Sequence, residues 1–540
     1  MKKQLYGNTE GLKNTQIKII ETLYQYQTLP EYIADPELIR NLVMLSHEIQ
    51  RQIGILIDRN GKIIHVIVGD SQGITIPVTS DYMAHPGKLK GLRLVHTHLK
   101  EEPLTRDDLT DLALLRLDYI TAACIRPDGE PGSLYSGHIL PDEESDPYKT
   151  LPPVTIEDLK INCLSQILAL ESELTRKNSL YKSESGNENA FLINAVTFDQ
   201  KDADASMDEL KELCKTSRIN IIGTAIQKRK LIDPKYAVGK GKLSDIVIQA
   251  IQKHATLLVF DRELSPSQIR SITDFVEMKV IDRTQLILDI FAKQAKSREG
   301  KYQVELAQLE YILPRLITKN TAMSRLTGGI GGRGPGETKL EINRRRVREK
   351  IDRLKKEITK IRKQRRQQKS KRNKKGVPVI SIVGYTNAGK STLLNTLTQS
   401  TIIAANRLFA TLDPSSRRLR FPKDVEVIIT DTVGFIQNLP KDLMEAFHAT
   451  LDELLDADVI LHVIDISNPR YEQQKETVEQ ILKDLKLESI PTLFVFNKID
   501  RIDLDSFDDQ WLLTQGIPIS ATQKQTLKPL VDKLESMVTL

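Results

Sequence analysis

GYTNAGKS, residues 384–391, sets glycines at 384 and 389 directly ahead of Lys390 and Ser391. The stretch lies between an apolar strand pattern, VPVISIV, and a helical pattern, STLLNTL, which is the context a phosphate cradle requires. Gly384 and Gly389 let backbone N–H groups turn inward around phosphate oxygens at the positive end of a helix. Tyr385, Thr386, Asn387 and Ala388 complete the loop. Lys390 then reaches the β and γ phosphates, and Ser391 offers its hydroxyl to Mg²⁺. Such a loop does not choose the base. NKID, residues 497–500, follows the strand pattern TLFVF, and Asp500 can accept two hydrogen bonds from the N1–H and 2-amino group of guanine. Adenine offers no such pair and would leave the carboxylate unpaired. Asn497, Lys498 and Ile499 share that loop, and Ser520, Ala521 and Thr522 after GIPI form a second loop at the base.

Asp431, Thr432, Val433 and Gly434 follow the strand pattern VEVIIT. Asp431 can bind Mg²⁺ through water, and the Gly434 N–H can contact the γ phosphate. In FATLDP, Phe409, Ala410, Thr411, Leu412 and Asp413 form the candidate first switch, with Thr411 joining Ser391 as a metal ligand. Lys390, Ser391, Thr411, Asp431 and Gly434 are therefore the expected catalytic set. Two loops held by γ phosphate and Mg²⁺, and released on hydrolysis, describe a GTP switch. Phe435 stands where many such enzymes carry a water-orienting glutamine. Slow hydrolysis until a partner orders the switch is the expectation; the alternative is that Phe435 packs in the core and another residue positions the water.

The pattern around these motifs is α/β in four blocks. Residues 1–188 begin with helical patterns and pass into strand-like stretches, QIGILIDRNGKIIHVIVGD and GLRLVHTH. Residues 191–291 alternate strand and helix, and 376–540 carry the nucleotide motifs on the same alternation. Between them, 292–375 shows two helical stripes. Leu306, Leu309, Leu313 and Leu316 form one, and Val347, Ile351, Leu354, Ile358 and Ile361 the other. Joined by a glycine-rich connection, they predict an antiparallel helical hairpin.

Charge is spread unevenly. Residues 341–375 hold 18 Lys and Arg against four acids, a surplus of 14 that leaves the rest at −8 within the overall +6. An acidic body with one basic arm points to a polyanion. Three scattered cysteines, no secretory signal pattern and no long apolar run predict a cytoplasmic chain without a transmembrane segment.

GGIGGRGPGETKLEINRRRVREKI (328–351), ahead of FATLDP and DTVGFI, resembles HflX, a branch of the bacterial translation-associated GTPases. PKYAVGKGKLSDI, VIDRTQLILDIFA and KYQVELAQLEYILPRL extend the resemblance over about 191–540. It implies GTP and GDP as ligands with Mg²⁺, a monomer, and the large ribosomal subunit and its RNA as partner. It further implies splitting of stalled or idle ribosomes, notably under stress, with the α/β part and hairpin reaching the peptidyl transferase region. Arg325, Arg333 and Lys339 at or near the hairpin tip, with Arg344, Arg345 and Arg346, are the candidate RNA contacts. Some relatives carry a small domain after the GTPase domain, for which this chain leaves room only for a closing helix. The competing reading is a GTP-dependent regulator of another RNA or protein partner.

The front block is absent from shorter family members. VHTHLKEEPLTRDDL (95–109) resembles the metal motif of JAB-type metalloproteases, with His96-x-His98 followed by Thr105-x-x-Asp108. Two His on one strand face plus a carboxylate can hold Zn²⁺, with an upstream acid such as Glu48 as general base. The spacing is one residue short of that motif and Leu99 replaces its proline. A metal-free relic or a pair of surface histidines is therefore the expectation, and a metallohydrolase merely regulated by GTP is the alternative.

Overall fold

The computed structural model describes residues 4–77, 88–140, 147–158, 162–184, 188–198, 203–276, 278–317, 339–373, 377–398, 408–409, 415–422, 425–432, 434–436, 454–502 and 515–539. Three sheets organise them. The first has the order β1-β3-β2-β4-β5-β6-β7 and comprises β1 (Leu5–Gly7), β2 (Ile53–Asp58), β3 (Ile63–Val68), β4 (Leu92–His98), β5 (Tyr119–Ile125), β6 (Pro131–Ile139) and β7 (Tyr148–Thr150). Helices α1 (Asn14–Thr22), α2 (Pro36–Ile49), α3 (Arg106–Leu114) and α4 (Cys163–Glu184) pack around it.

Strand alternation divides this sheet's faces. Ile53, Ile55, Ile57 and Val95 share a core with Leu38, Leu42 and Val43 of α2 and Ile167 of α4. Leu56, Leu92, Leu94 and Ala122 pack with Leu112 of α3 on the other face. Helix α3 starts at a capping box: Thr105 accepts from the Asp108 N–H, and Asp108 returns the bond to the Thr105 N–H.

The second sheet, β11-β10-β8-β9, is wholly parallel. It is built from β8 (Asn189–Thr197), β9 (Asn220–Arg229), β10 (Leu257–Phe260) and β11 (Lys279–Asp282), with α5 (Ala203–Thr216), α6 (Lys240–Gln252), α7 (Pro266–Phe275) and α8 (Arg283–Gln294). After α9 (Arg298–Ile312) comes α10 (Lys339–Asn373), 35 residues and about 50 Å long at 1.5 Å per residue. Tyr302, Leu306, Leu309 and Leu313 meet Val347, Ile351, Leu354 and Ile358 in one apolar cluster. Leu316 and Ile361, expected at the ends of the stripes, lie outside it, while Tyr302 joins from one turn earlier. Lys350 pairs with Glu305, and Lys355 Nζ with Glu310 at 2.7 Å. The glycine-rich connection lies outside the described residues.

The third sheet has the order β13-β14-β12-β15-β16-β17: β12 (Val379–Gly384), β13 (Ser415–Arg420), β14 (Glu426–Asp431), β15 (Val459–Asp465), β16 (Thr492–Asn497) and β17 (Ile517–Pro518). Only β13 runs antiparallel to its neighbour. All of β12 is buried, as a parallel strand covered on both faces requires. The helices are α11 (Lys390–Thr398), α12 (Tyr471–Asp484) and α13 (Lys528–Val538). One apolar cluster runs from Leu192, Ile287 and Phe291 of the second sheet's unit to Tyr385, Phe409 and Phe435 of the third. No described helix is long and apolar enough to cross a membrane.

The candidate nucleotide site and its surroundings

Strand β12 neighbours β14 on one side and β15 on the other, so the turn after it opens at the topological switch point where open α/β sheets bind ligands. Gly384 (φ +153°) leaves the strand so close to β15 that a Cβ would lie 2.2 Å from the Val463 carbonyl oxygen. At Gly389 (φ +99°) a Cβ would lie 2.2 Å from Asn497 Nδ2. Both positions demand glycine for conformation and space.

Lys390 is 5% exposed and donates to the Gly384 and Tyr385 carbonyls at 3.1 and 2.8 Å. Burial pushes its ammonium down to about 8, against the pull of the Asp431 carboxylate. The lysine is thus held across the loop it must serve. Ser391 Oγ donates to Asp431 Oδ2 at 2.7 Å, with both residues buried. A hydroxyl and a carboxylate oxygen fixed side by side are the hard donors that Mg²⁺ takes, so these residues fit the ion. Thr432 Oγ1 anchors the strand end to the Ile382 carbonyl at 2.7 Å. A Cβ on Gly434 would sit 3.0 Å from Lys390 Nζ.

The base loops meet through Asn497. Its Nδ2 donates to the Ala388 carbonyl at 2.8 Å, and its Oδ1 accepts from the Ala521 N–H at 2.9 Å. Lys498, at φ +68°, pairs with Asp465 at 2.6 Å. A cleft of about 230 Å³ opens here, lined by Asn387, Gly389, Asn497, Lys498, Asp500, Ser520, Ala521 and Thr522. Thr392 and Arg501 also line it, although their motifs did not single them out. Asp500 is exposed in the cleft and free to face a base. Ile499 instead packs with Ile464, Ile466 and Phe496.

Two further expected site residues turn elsewhere, and Phe435 packs beside them. Phe409 is 2% exposed, with its ring edge-on to Phe291 at 4.6 Å. Tyr385 sends its hydroxyl out of the loop to Glu209 Oε1 at 2.5 Å. Phe435 is 2% exposed in the same core. Its backbone clamps the phosphate loop: its N–H donates to Gly384 at 3.1 Å, and its carbonyl accepts from Thr386 at 2.7 Å. Ala410, Thr411, Leu412, Asp413, Val433, Arg325 and Arg333 lie outside the described residues. Lys339 begins α10, and Arg344, Arg345 and Arg346 follow on it, with Arg345 ion-paired to Glu349 at 3.7 Å.

Sequence reasoning missed a buried network behind the loop. Arg283 pairs with both Glu209 and Asp261, the latter at 2.8 Å, and Ser206 donates to Asp261 at 2.5 Å. Burial raises the Asp261 carboxyl, while Arg283 and Ser206 pull it back. The signal was a charged DRT flanked by apolar residues at 282–284, in VIDRTQLILDI.

In the first sheet, His96 and His98 are 0% and 1% exposed, which corrects the expectation of surface histidines. Their Nε2 atoms lie 3.0 Å apart, and Asp108 Oδ1 and Oδ2 stand 3.1 and 3.3 Å from them respectively. Glu48 cannot be their general base. It lies on α2, whose Ser46 hydrogen-bonds Thr97 at 2.7 Å on the opposite face, and it is exposed and bonded to Gln16.

A phosphate loop at the switch point of a parallel sheet, with an NKID loop at its side, defines the class as a P-loop GTPase. The family model for a GTP-binding GTPase N-terminal region matches residues 204–292, that for a GTP-binding GTPase middle region 294–372, and that for a 50S ribosome-binding GTPase 379–498. GTPase HflX of Caldanaerobacter subterraneus subsp. tengcongensis is 44% identical over 348 residues, 64% of this chain and 80% of that protein. GTPase HflX of Escherichia coli (strain K12) is 41% identical over 364 residues, 65% and 84%. Among solved structures, a GTP-binding protein from the archaeon Sulfolobus solfataricus in complex with GDP aligns at TM-score 0.36 and 25% identity, covering 65% of this chain and 99% of that one. The chain belongs to the HflX family of GTPases and hydrolyses GTP.

Proposed function

We propose that this GTPase binds the large ribosomal subunit in its GTP state and splits stalled or idle ribosomes, with the ribosome in turn accelerating hydrolysis. The observation that carries the reading is α10: a basic prong stiffened by its apolar seam against α9 and suited to RNA phosphates. The match to a 50S ribosome-binding GTPase model supports the choice of RNA. Lys390 and the loop N–H groups hold the phosphates, Asp500 reads guanine, and Ser391 and Asp431, with Thr411, hold Mg²⁺. When bound, the ion neutralises charge on the β and γ phosphates. Arg325, Arg333, Lys339 and Arg344–Arg346 are the proposed RNA contacts. Blocks 1–188, 191–291, 292–375 and 376–540 are the proposed units, and the cytoplasm the proposed compartment.

Sedimentation with purified ribosomes in GTP, GDP and a non-hydrolysable analogue tests this. Triphosphate-dependent pelleting with large subunits, and separation of the subunits, is the expected result. Equal pelleting in all three nucleotides without separation refutes it.

A further inference from the structure

We propose that helix α3 of the front block docks its acidic face on the basic start of α6 in the second sheet's unit, and so competes with ribosomal RNA for that surface. The proposal rests on ribosomal RNA being the partner of this chain. Residues 228–242 hold six Lys and Arg against the single acid Asp233. Helix α6 begins within that stretch. Gly239 at its N-cap brings no capping side chain, and Lys240 and Lys242 stand in a first turn without acids. A surface of this charge attracts polyanions. Here it faces part of its own chain.

The contact follows from the period of the two helices. Asp107, Thr110, Asp111 and Leu114 recur at helical spacing and so share one face of α3, while Leu112 turns into the first sheet's core. Lys240, Ser244 and Asp245 form the facing side of α6, and both sets line one cleft between the two units. Arg106 Nη2 crosses to Asp245 Oδ1 at 2.9 Å. Leu114 reaches the apolar cluster that holds Leu243, Ile246 and Val247 of α6. Asp108 directs its carboxylate to His96, His98 and Thr105, which leaves Asp107 and Asp111 for the cleft. Burial, with Asp108 and Asp107 beside it, pushes the Asp111 carboxyl up to about 7, and the Lys240 ammonium pulls it back. Carboxylates held before a lysine take the place that a phosphate would fill.

The contact is one that can come apart. Its ion pair is open to water, with 78% of the Arg106 and 42% of the Asp245 side chain exposed, and such pairs shift an equilibrium by at most about fivefold. The cleft between the units keeps about 1300 Å³ open, so the two faces are not close-packed as an interior is. Polar, gapped contacts between domains permit relative motion. RNA carries a charge on every nucleotide and offers α6 more anions than two carboxylates do. It therefore displaces α3 once the hairpin has brought the two together.

The test joins the two faces in the full chain. R106C/D245C treated with a short bismaleimide locks α3 on α6, and Cys124, Cys163 and Cys214, all buried, are poor targets for the reagent. The crosslinked chain should keep its affinity for GTP but pellet with large ribosomal subunits at least about fivefold more weakly than the same chain uncrosslinked. R106E should open the contact and tighten pelleting by up to about fivefold, and R106E/D245R should bring it back to the wild-type value. Failure of the double-cysteine chain to crosslink overturns the docking itself. Equal pelleting with and without the crosslink, with R106E also unchanged, overturns the competition and leaves the ribosome reading intact. If no chain pellets in GTP, R106E included, the ribosome reading falls and the competition falls with it.

Discussion

Phe435→Gln restores the residue type that orients water in many relatives of the P-loop class, yet it should not produce a fast free enzyme. The reason is the backbone. Residue 435 forms a parallel bridge with Tyr385, donating to Gly384 and accepting from Thr386. Any side chain there is aimed into the cluster of Tyr385, Leu408, Phe409 and Ile436, not at the phosphate end of Lys390. The substitution therefore removes a buried ring and inserts an amide with no partner. Truncating a buried Phe costs about 3–5 kcal/mol; Gln recovers part of that volume, but its unpaired amide costs about 1–3 kcal/mol. A net loss of about 3–4 kcal/mol is expected. Urea unfolding reads the stability, and single-turnover hydrolysis without ribosomes reads the chemistry. A stability loss under about 1 kcal/mol, or a rise in free turnover above tenfold, about 1.4 kcal/mol of barrier, would show that side chain 435 reaches the reacting phosphate.

Other perturbations test neighbouring parts of the site. Asn497→Ala strips Ala388 of a donor and Ala521 of an acceptor; about 2 kcal/mol should appear as weaker guanine-nucleotide binding by fluorescence titration. Burial, then Lys475 and Lys390, lowers His462 to about 3, so below pH 6.5 the unfolded chain takes up a proton that the folded chain refuses. Stability should fall as pH drops from about 6.5 towards 3, by at most about 1.4 kcal/mol per unit, and His462→Leu should flatten that limb in pH-dependent denaturation. Arg283→Met leaves Glu209 and Asp261 buried without their counter-charge, costing about 3–5 kcal/mol in thermal unfolding. Tyr385→Phe, which removes only one bond to Glu209, should cost about 1.5–3 kcal/mol.

What could be read before folding was local. The phosphate loop, the DTVG turn and NKID each fit within a few residues, and the sheet order then brings the phosphate loop and NKID to one cleft. The seam of α9 and α10 was visible as a period, but its ends were not. Whether Leu316 or Tyr302 joins depends on where α9 gives way to a 3₁₀ turn at Leu313. Long-range polar groups were the least legible. Ser206 and Glu209 on α5, Asp261 just after β10 and Arg283 at the start of α8 look like solvated polar groups until the sheet brings them together. The histidine pair was misread for a related reason. Alternation put His96 and His98 on one face, but only α3 folding over that face buries them.

Two side chains make the nucleotide site inseparable from the second sheet. Tyr385, inside the phosphate loop, is tied through Glu209 to Arg283 at the start of α8. Phe435, next to the switch glycine, shares a core with Phe409 and Phe291, and Phe291 lies near the other end of α8. One helix is thus gripped at two points by elements that bracket the γ-phosphate position. A shift of Gly434 towards a γ phosphate would load Phe435 through the peptide bond between them, while residue 435 is held by hydrogen bonds to Gly384 and Thr386 of the loop. Close-packed interiors pass such a shift on as a discrete repacking rather than absorbing it. Helix α9 follows α8 and carries the apolar seam for α10, so the basic prong is the natural far end of that displacement.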